Sequence, residues 1–305
     1  MQAMTGTVEV LLSTFNAGGF LSQQLESVWA QDYPDVSVVV RDDGSADGTV
    51  EQIEGHLSGR TNARFIVGEH LGAGRSFLAL LSAIGPEARY AAFCDQDDVW
   101  LPEKLARGIA ALRSVPASRP ALYCARRILV DSQLRRTGEP GPLRHKPGFP
   151  SALTQNVAPG CTMILNRAAA DLILATEPPD TVWHDWWCYV AVAAAGGAII
   201  VDPAATVLYR QHGANCTGEA QGVWRRGIAA LRRGPGAFMR LLRQHVATRE
   251  ARPHLISSDA RRQLEIIARG LRGGPTDRVR ALRLPGFRRQ TWLETLVFWV
   301  WFMIG

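Results

Sequence analysis

The chain has 305 residues, 47% of them hydrophobic, which supports a sizeable core and excludes a disordered protein. Its net charge of +6 hides an asymmetry: residues 219–305 hold 17 Arg, no Lys and 6 acids, whereas residues 1–218 carry a net −5. Five scattered cysteines without a C-x-x-C pair argue against a disulfide framework or a thiolate zinc site and fit a reducing compartment; no secretory signal is expected at the amino terminus.

The first half alternates strand and helix. Residues 7–14 read as a strand, 20–31 as an amphipathic helix with Leu21, Leu25, Val28 and Trp29 on one face, and 36–42 as a second strand. Residues 45–57 open with a capping pattern ahead of a helix. A third strand at 64–68, a helix at 74–84, a fourth strand at 90–95 and a helix at 101–112 follow, with Pro102 in the first turn of the last. This alternation predicts a mostly parallel sheet covered on both faces, with ligands at the carboxyl ends of its strands. Residues 131–150, with four Pro and three Gly, read as a mobile loop. Beyond it come a strand at 159–166, a helix at 182–197 that ends at glycines, and two strands at 198–202 and 206–212.

Acids gather at strand ends: Asp42 and Asp43 after the second strand, then Asp95, Asp97 and Asp98 in "FCDQDDVW" after the fourth. Three carboxylates in four positions repel one another unless a cation sits among them. Mg²⁺ or Mn²⁺ suits such a site, because these hard ions take oxygen ligands and bridge to substrate phosphates. The plainer alternative is a solvated helix cap, since acids favour helix starts. A position directly after an apolar strand favours the metal.

Four stretches taken together, "STFNAGGFLSQQLESVWAQDYPDVSVVVRDDGSADGT", "FCDQDDVWLPEKL", "WHDWW" and "YRQHGANCTG", resemble the inverting glycosyltransferases of family 2, and among them the bacterial rhamnosyltransferase-like branch. The resemblance implies a GT-A catalytic domain over residues 1–218, an α/β fold, followed by a basic helical extension over 219–305. It also implies a nucleotide-diphospho-sugar donor, such as dTDP-rhamnose; an acceptor hydroxyl on a bacterial glycan or polyprenyl-linked lipid is the expectation that would give the basic C-terminal segment a purpose. Position by position, Thr14, Phe15 and Asn16 would contact the nucleobase and ribose, and Asp42 or Asp43 would accept the base's imide N–H. Arg75 would lie near the base and diphosphate, with Gln96 among the donor contacts. Asp95 and Asp97 form the family's D-x-D, the first facing ribose and sugar and the second binding metal. Asp98 and His212 join the metal side, with Asn215 assisting, and Asp185 takes the place of the catalytic base. Gly160, Cys161, Thr162, Trp183, His184 and Trp186 would line the acceptor side.

The chemistry follows from general principles as well. Glycosyl transfer needs a stabilised leaving diphosphate, which a metal ion supplies as a Lewis acid, and a deprotonated hydroxyl, which one carboxylate supplies as general base. Trp183, Trp186 and Trp187 would partly desolvate Asp185 and offer ring faces to a sugar. The structural alternative makes Asp185 a helix cap and the tryptophans core packing.

Past residue 218, Arg-rich helical segments end in nine uninterrupted apolar residues, Leu296 to Ile304. That is far below the ~20 needed to span a bilayer. Trp and Phe behind the basic "RLPGFRRQ" suit an interfacial helix on an anionic leaflet, which predicts a cytoplasmic enzyme peripheral on the inner face of the cytoplasmic membrane. The alternatives are packing on the catalytic domain or a homodimer contact. Nucleic acid is not an expected partner, because the aromatics stand apart from the arginines. A nucleotidyltransferase would need a basic glycine-rich loop after the first strand, which "STFNAGG" lacks. A non-catalytic carbohydrate-binding or scaffold protein would have lost an acid from a motif, and a glycoside hydrolase would not need the nucleotide-type loops.

Overall fold

The computed structural model describes residues 6–179, 183–212 and 235–305; Asn215, Cys216 and the division expected near residue 218 lie outside them. The strands are β1 (Thr7–Thr14), β2 (Val36–Asp42), β3 (Ala63–Val67), β4 (Ala88–Cys94), β5 (Val99–Trp100), β6 (Ala121–Val130), β7 (Arg136–Gly138), β8 (Ile164–Asn166) and β9 (Ala198–Arg210). They form one sheet in the order β3-β2-β1-β4-β8-β6-β9-β5, with β7 paired to β6. β3, β2, β1 and β4 run parallel, as do β6 and β9, while β8 is antiparallel to both neighbours. The helices are α1 (Leu21–Trp29), α2 (Thr49–Leu57), α3 (Ala73–Ser82), α4 (Lys104–Leu112), α5 (Arg167–Ala175), α6 (His184–Ala194), α7 (Gly236–Ala251), α8 (Ser258–Arg272), α9 (Pro275–Leu282) and α10 (Trp292–Ile304).

Period-two alternation sorts the strand residues between two cores. Val8, Val10 and Leu12 of β1, with Val38 and Val40 of β2, pack against α1, α2 and α4. Leu11, Val39 and Phe93 face the other way, towards α3, α5 and α6. The mostly parallel sheet covered on both faces is therefore as the sequence pattern implies.

Several elements differ from the sequence expectation, each for an identifiable reason. β6 carries Arg126 and Arg127 in its middle, which breaks the apolar pattern and hides a ten-residue strand. The two strands expected at 198–202 and 206–212 are one strand, β9, because a register shift against β6 absorbs Pro203 and Ala204. α4 starts at Lys104, so Pro102 sits in the turn before it. The stretch 159–166 holds a 3-10 turn at Gly160–Thr162 and only three residues of strand. α2 begins after Gly48, whose φ of 82° is left-handed, and Asp47 accepts from Thr49 N at 3.2 Å in place of a cap from Ser45. Residues 131–150 are tied down: Tyr189 Oη accepts from Gly148 N at 3.1 Å, and Gln290 Oε1 accepts from Arg144 N and His145 N at 2.8 and 3.0 Å.

The C-terminal helices are part of the second core. Met239, Leu242 and Val246 of α7, Leu264 and Ile267 of α8, and Phe298 and Phe302 of α10 join Trp187 and Val190 of α6 in one apolar cluster. The helices approach so closely at Gly270 that an added Cβ would lie 2.9 Å from Ala281 Cβ and 3.1 Å from the Phe302 ring. Phe298→Ala should therefore lower the unfolding free energy by about 3–5 kcal/mol. A urea melt read by both near- and far-UV circular dichroism tests this, and an unchanged midpoint would separate α10 from the core.

Candidate active site

β4 ends at Cys94, and four residues carry the chain to β5, which pairs antiparallel with β9 through Val99–Leu208 and Trp100–Val207. That pairing lays the acidic turn against the end of β9. Arg210 N donates to Asp98 Oδ1 at 3.1 Å, and the buried Arg210 guanidinium donates to the Asp97 carbonyl, the Ser132 carbonyl and Gln23 Oε1 at 2.6–2.8 Å. His212 Nε2 lies 2.7 Å from Asp97 Oδ2. His212 and Asp97 thus meet, while Asp98 is fully buried.

Burial acts on these acids first and like charge second. Asp95 is pushed up to about 7 by desolvation, then by the charges of Asp97 and Asp185. Asp98 is held well above the usual carboxylate range by burial, with Asp95 and Asp97 adding to it. Arg127 and the fully buried Lys104 act in the opposite sense on Asp95. Lys104 rests over the Trp100 ring, 3.2 Å from its centroid, and burial pulls its ammonium down to about 8. One ligand-type atom each from Asp95, Asp98 and Cys161 lies within 4.8 Å of the others.

The loops after β1 and β2 form the adjoining wall. Gln96 locks onto Phe15, its Oε1 accepting from Phe15 N at 2.7 Å and its Nε2 donating to Phe15 O at 3.1 Å. Asp42 accepts from Gly44 N, Ser45 N, Thr14 Oγ1 and Ser45 Oγ at 2.6–3.1 Å. Asp43 pairs with Arg41, accepts from Leu71 N and Gly72 N at 2.9 and 2.8 Å, and meets His70 Nδ1 at 3.1 Å. All acceptor positions of the Asp42 carboxylate are thus engaged by the protein. Asn16, at φ 45°, accepts from Ala46 N at 3.0 Å. Phe15 stands 41% exposed with its ring 4.3 Å from that of His70, and Arg75 is exposed in the first turn of α3.

Asp185 opens α6. Its Oδ2 accepts from Gly160 N at 3.3 Å and its Oδ1 from Trp186 N at 2.6 Å. The residues expected on the acceptor side divide sharply. Trp183 is 44% exposed, but Trp186 turns inward and donates Nε1 to the Ala152 carbonyl at 2.7 Å. His184 is buried against Phe77 and Phe93, at 4.1 and 4.9 Å between centroids, and burial lowers it to about 4, so it is neutral. Cys161 and Thr162 are buried as well, and burial raises the Cys161 thiol far from thiolate character. Trp187 is core: Arg249 covers its ring at 3.8 Å, His245 stacks at 5.4 Å, and its Nε1 donates to Thr176 Oγ1 at 2.7 Å.

Sequence reasoning does not reach Arg41, Lys104, Arg127, Arg210 or Arg249. Arg41 and Arg127 leave a trace, each as a charge inside an apolar run, "VSVVVRD" and "ALYCARRILV", where burial demands a partner.

The profile of Glycosyl transferase family 2 matches residues 9–171, more than half of the chain. The chain belongs to that family. This family 2 glycosyltransferase is 27% identical over 223 residues, 68% of its length and 73% of the relative's, to the dTDP-rhamnosyl transferase RfbG of Shigella flexneri. It is 34% identical over 103 residues to the uncharacterized glycosyltransferase alr2836 of Nostoc, about a third of each chain. Among solved structures it resembles residues 1–349 of TarS from S. aureus in complex with UDP (TM-score 0.59, 17% identity, 88% of this chain and 73% of that one). It also resembles the mannosyltransferase PcManGT of Pyrobaculum calidifontis in complex with GDP-Man and Mn²⁺ (TM-score 0.51, 17% identity, 99% and 87%). These likenesses establish the GT-A fold.

A Cβ at Gly160 would lie 2.6 Å from His184 Nε2 and 3.4 Å from Asp185 Cβ, whereas one at Gly141 would meet nothing within 4 Å. Gly160→Ala should thus cost about 1–3 kcal/mol by overpacking. Thermal melts of Gly160→Ala and of Gly141→Ala as control test this; equal melting points would show that the start of α6 has slack.

Proposed function

We propose that this glycosyltransferase moves a sugar, with inversion, from a nucleoside diphosphate to an acceptor hydroxyl on a bacterial glycan or polyprenyl-linked lipid. One observation supports it above the rest: the turn Gly160–Thr162 touches both acidic groups. Gly160 N donates to Asp185, and Cys161 Sγ lies within 4.8 Å of ligand oxygens of Asp95 and Asp98. A base and a diphosphate site on opposite sides of a sugar need that closeness.

A divalent cation, Mg²⁺ or Mn²⁺, fits these residues, because Asp98 Oδ2 is buried with no hydrogen-bond partner among the described residues and Asp97 has His212 beside it. Asp97, Asp98 and His212 would hold it, with Asp95 turned to ribose and sugar. A cation bound there would act as a Lewis acid on the diphosphate. Asp185 takes the proton of the acceptor hydroxyl as that oxygen attacks the anomeric carbon. The bond to diphosphate breaks as the glycosidic bond forms.

On the donor side, Phe15 stacks with the nucleobase, Thr14 and Asn16 approach the ribose, and Arg75 the diphosphate. Asp43 is the better reader of an imide N–H than Asp42, because the exposed His70 is the one partner it can exchange without undoing a turn. Similarity to the S. flexneri enzyme supports dTDP-rhamnose as the donor.

With Mn²⁺ present, dTDP-rhamnose should raise the melting point of the parent protein, while UDP-GlcNAc and GDP-mannose should do so less. Asp97→Ala should lose that shift. Asp185→Asn should keep it and lose at least about 10²-fold in transfer. Donor binding by Asp97→Ala equal to the parent's would remove the cation assignment, and wild-type turnover by Asp185→Asn would remove the base.

Acidity gives a further check. Below about 7 Asp95 keeps its proton, and positive charge then adds to the site that must accept a cation. Mn²⁺-dependent donor binding should weaken as pH falls through that value and strengthen above it. Titrations showing no such trend would place the cation away from Asp95.

A further inference from the structure

α10 has two apolar faces. Its inner face, Phe298, Trp301 and Phe302, is buried with Phe287 in the core. Its outer face is exposed: Trp292 at 73%, Leu296 at 49%, Trp299 at 40%, Val300 at 49% and Ile304 at 68%. At 3.6 residues per turn these five fall on one stripe of roughly 140°. A stripe of five large apolar side chains, two of them Trp, is more than a monomer leaves in water without use.

We propose that this outer face docks the enzyme on an anionic lipid bilayer, with α10 lying flat in the headgroup region. Committing the inner face to the core prevents the helix from turning into the membrane, and no helix among the described residues is long and apolar enough to cross one. Tryptophan suits the boundary between water and acyl chains. The surroundings are cationic. Arg278 and Arg243 donate to the Met303 and Gly305 carbonyls at the end of the helix, and Arg240, Arg280, Arg283 and Arg288 are exposed on the flanking segments. The one acid in the helix, Glu294, is spent in a capping box with Thr291, accepting its hydroxyl at 2.9 Å while Glu294 N donates back at 3.2 Å. A second copy of this chain would bring the same arginines face to face, which like-charge repulsion opposes; phosphate headgroups complement them.

Docking there also sets the attitude of the catalytic mouth. Phe238 touches both Phe298 and Trp301, at 5.8 and 5.7 Å between centroids, and Trp186 at 6.4 Å, next to Asp185. The inference stands on exposure and charge and does not depend on the donor or base assignments.

The full chain is floated with vesicles of phosphatidylcholine alone or mixed with phosphatidylglycerol. The parent should recover with the anionic vesicles. A variant with W292S, L296S, W299S, V300S and I304S should recover at least tenfold less, with unchanged circular dichroism and unchanged donor hydrolysis. A second variant, R240Q, R280Q, R283Q and R288Q, should lose the preference for phosphatidylglycerol. Equal recovery of parent and face variant would overturn the proposal, as would failure of the parent to float. A parent that is dimeric by light scattering, converted to monomer by the face variant and absent from vesicles, would assign the face to a second copy instead.

Discussion

Like charge crowded at the end of a buried strand is the constraint around which this molecule is arranged. Asp95, Asp97 and Asp98 follow β4 within four residues, Asp98 is fully buried, and burial makes like-charge repulsion stronger than it would be in water. The fold answers with cations of its own. Arg210 grips the turn by its backbone, and Arg127 and Lys104 act on Asp95. The short β5 matters out of proportion to its two residues, because its pairing with β9 brings Arg210 and His212 to the acids. A divalent ion would therefore complete a partly neutralised site. It would not have to tame a bare cluster, and Asp98 also supports the turn by accepting from Arg210 N.

Placement of the candidate base follows from a second constraint, which the C-terminal helices impose. α6 carries Asp185 in its first turn and continues with Trp186 and Trp187, both turned into the protein. Arg249 and His245 of α7 cover Trp187, and Phe238 links Trp186 to α10. The C-terminal helices thus support α6 by packing. Desolvation lowers both Arg249 and His245, and the Trp187 ring face is what the Arg249 guanidinium receives in return. One helix, α10, is asked to fill a core and to present an apolar surface at once, and its near absence of polar residues satisfies both demands.

Local sequence determined a good part of this. Periodicity placed β1, β2 and most flanking helices, and the order of four motifs identified the family, because each side chain's chemistry and each element's period are written in neighbouring residues. What it did not decide was anything that depends on distant partners. Whether Trp186 faces a sugar or the Ala152 carbonyl, and whether His184 lines a pocket or sits between two phenylalanines, depends on segments tens of residues away. The same holds for β6, a strand whose two arginines are tolerated only because the end of the sheet supplies acids and a ring. Burial, and with it the neutrality of His184 and the raised pKa values of Asp95 and Asp98, is a property of the assembled chain. Composition can name the charges, but only packing sets how much water each one keeps.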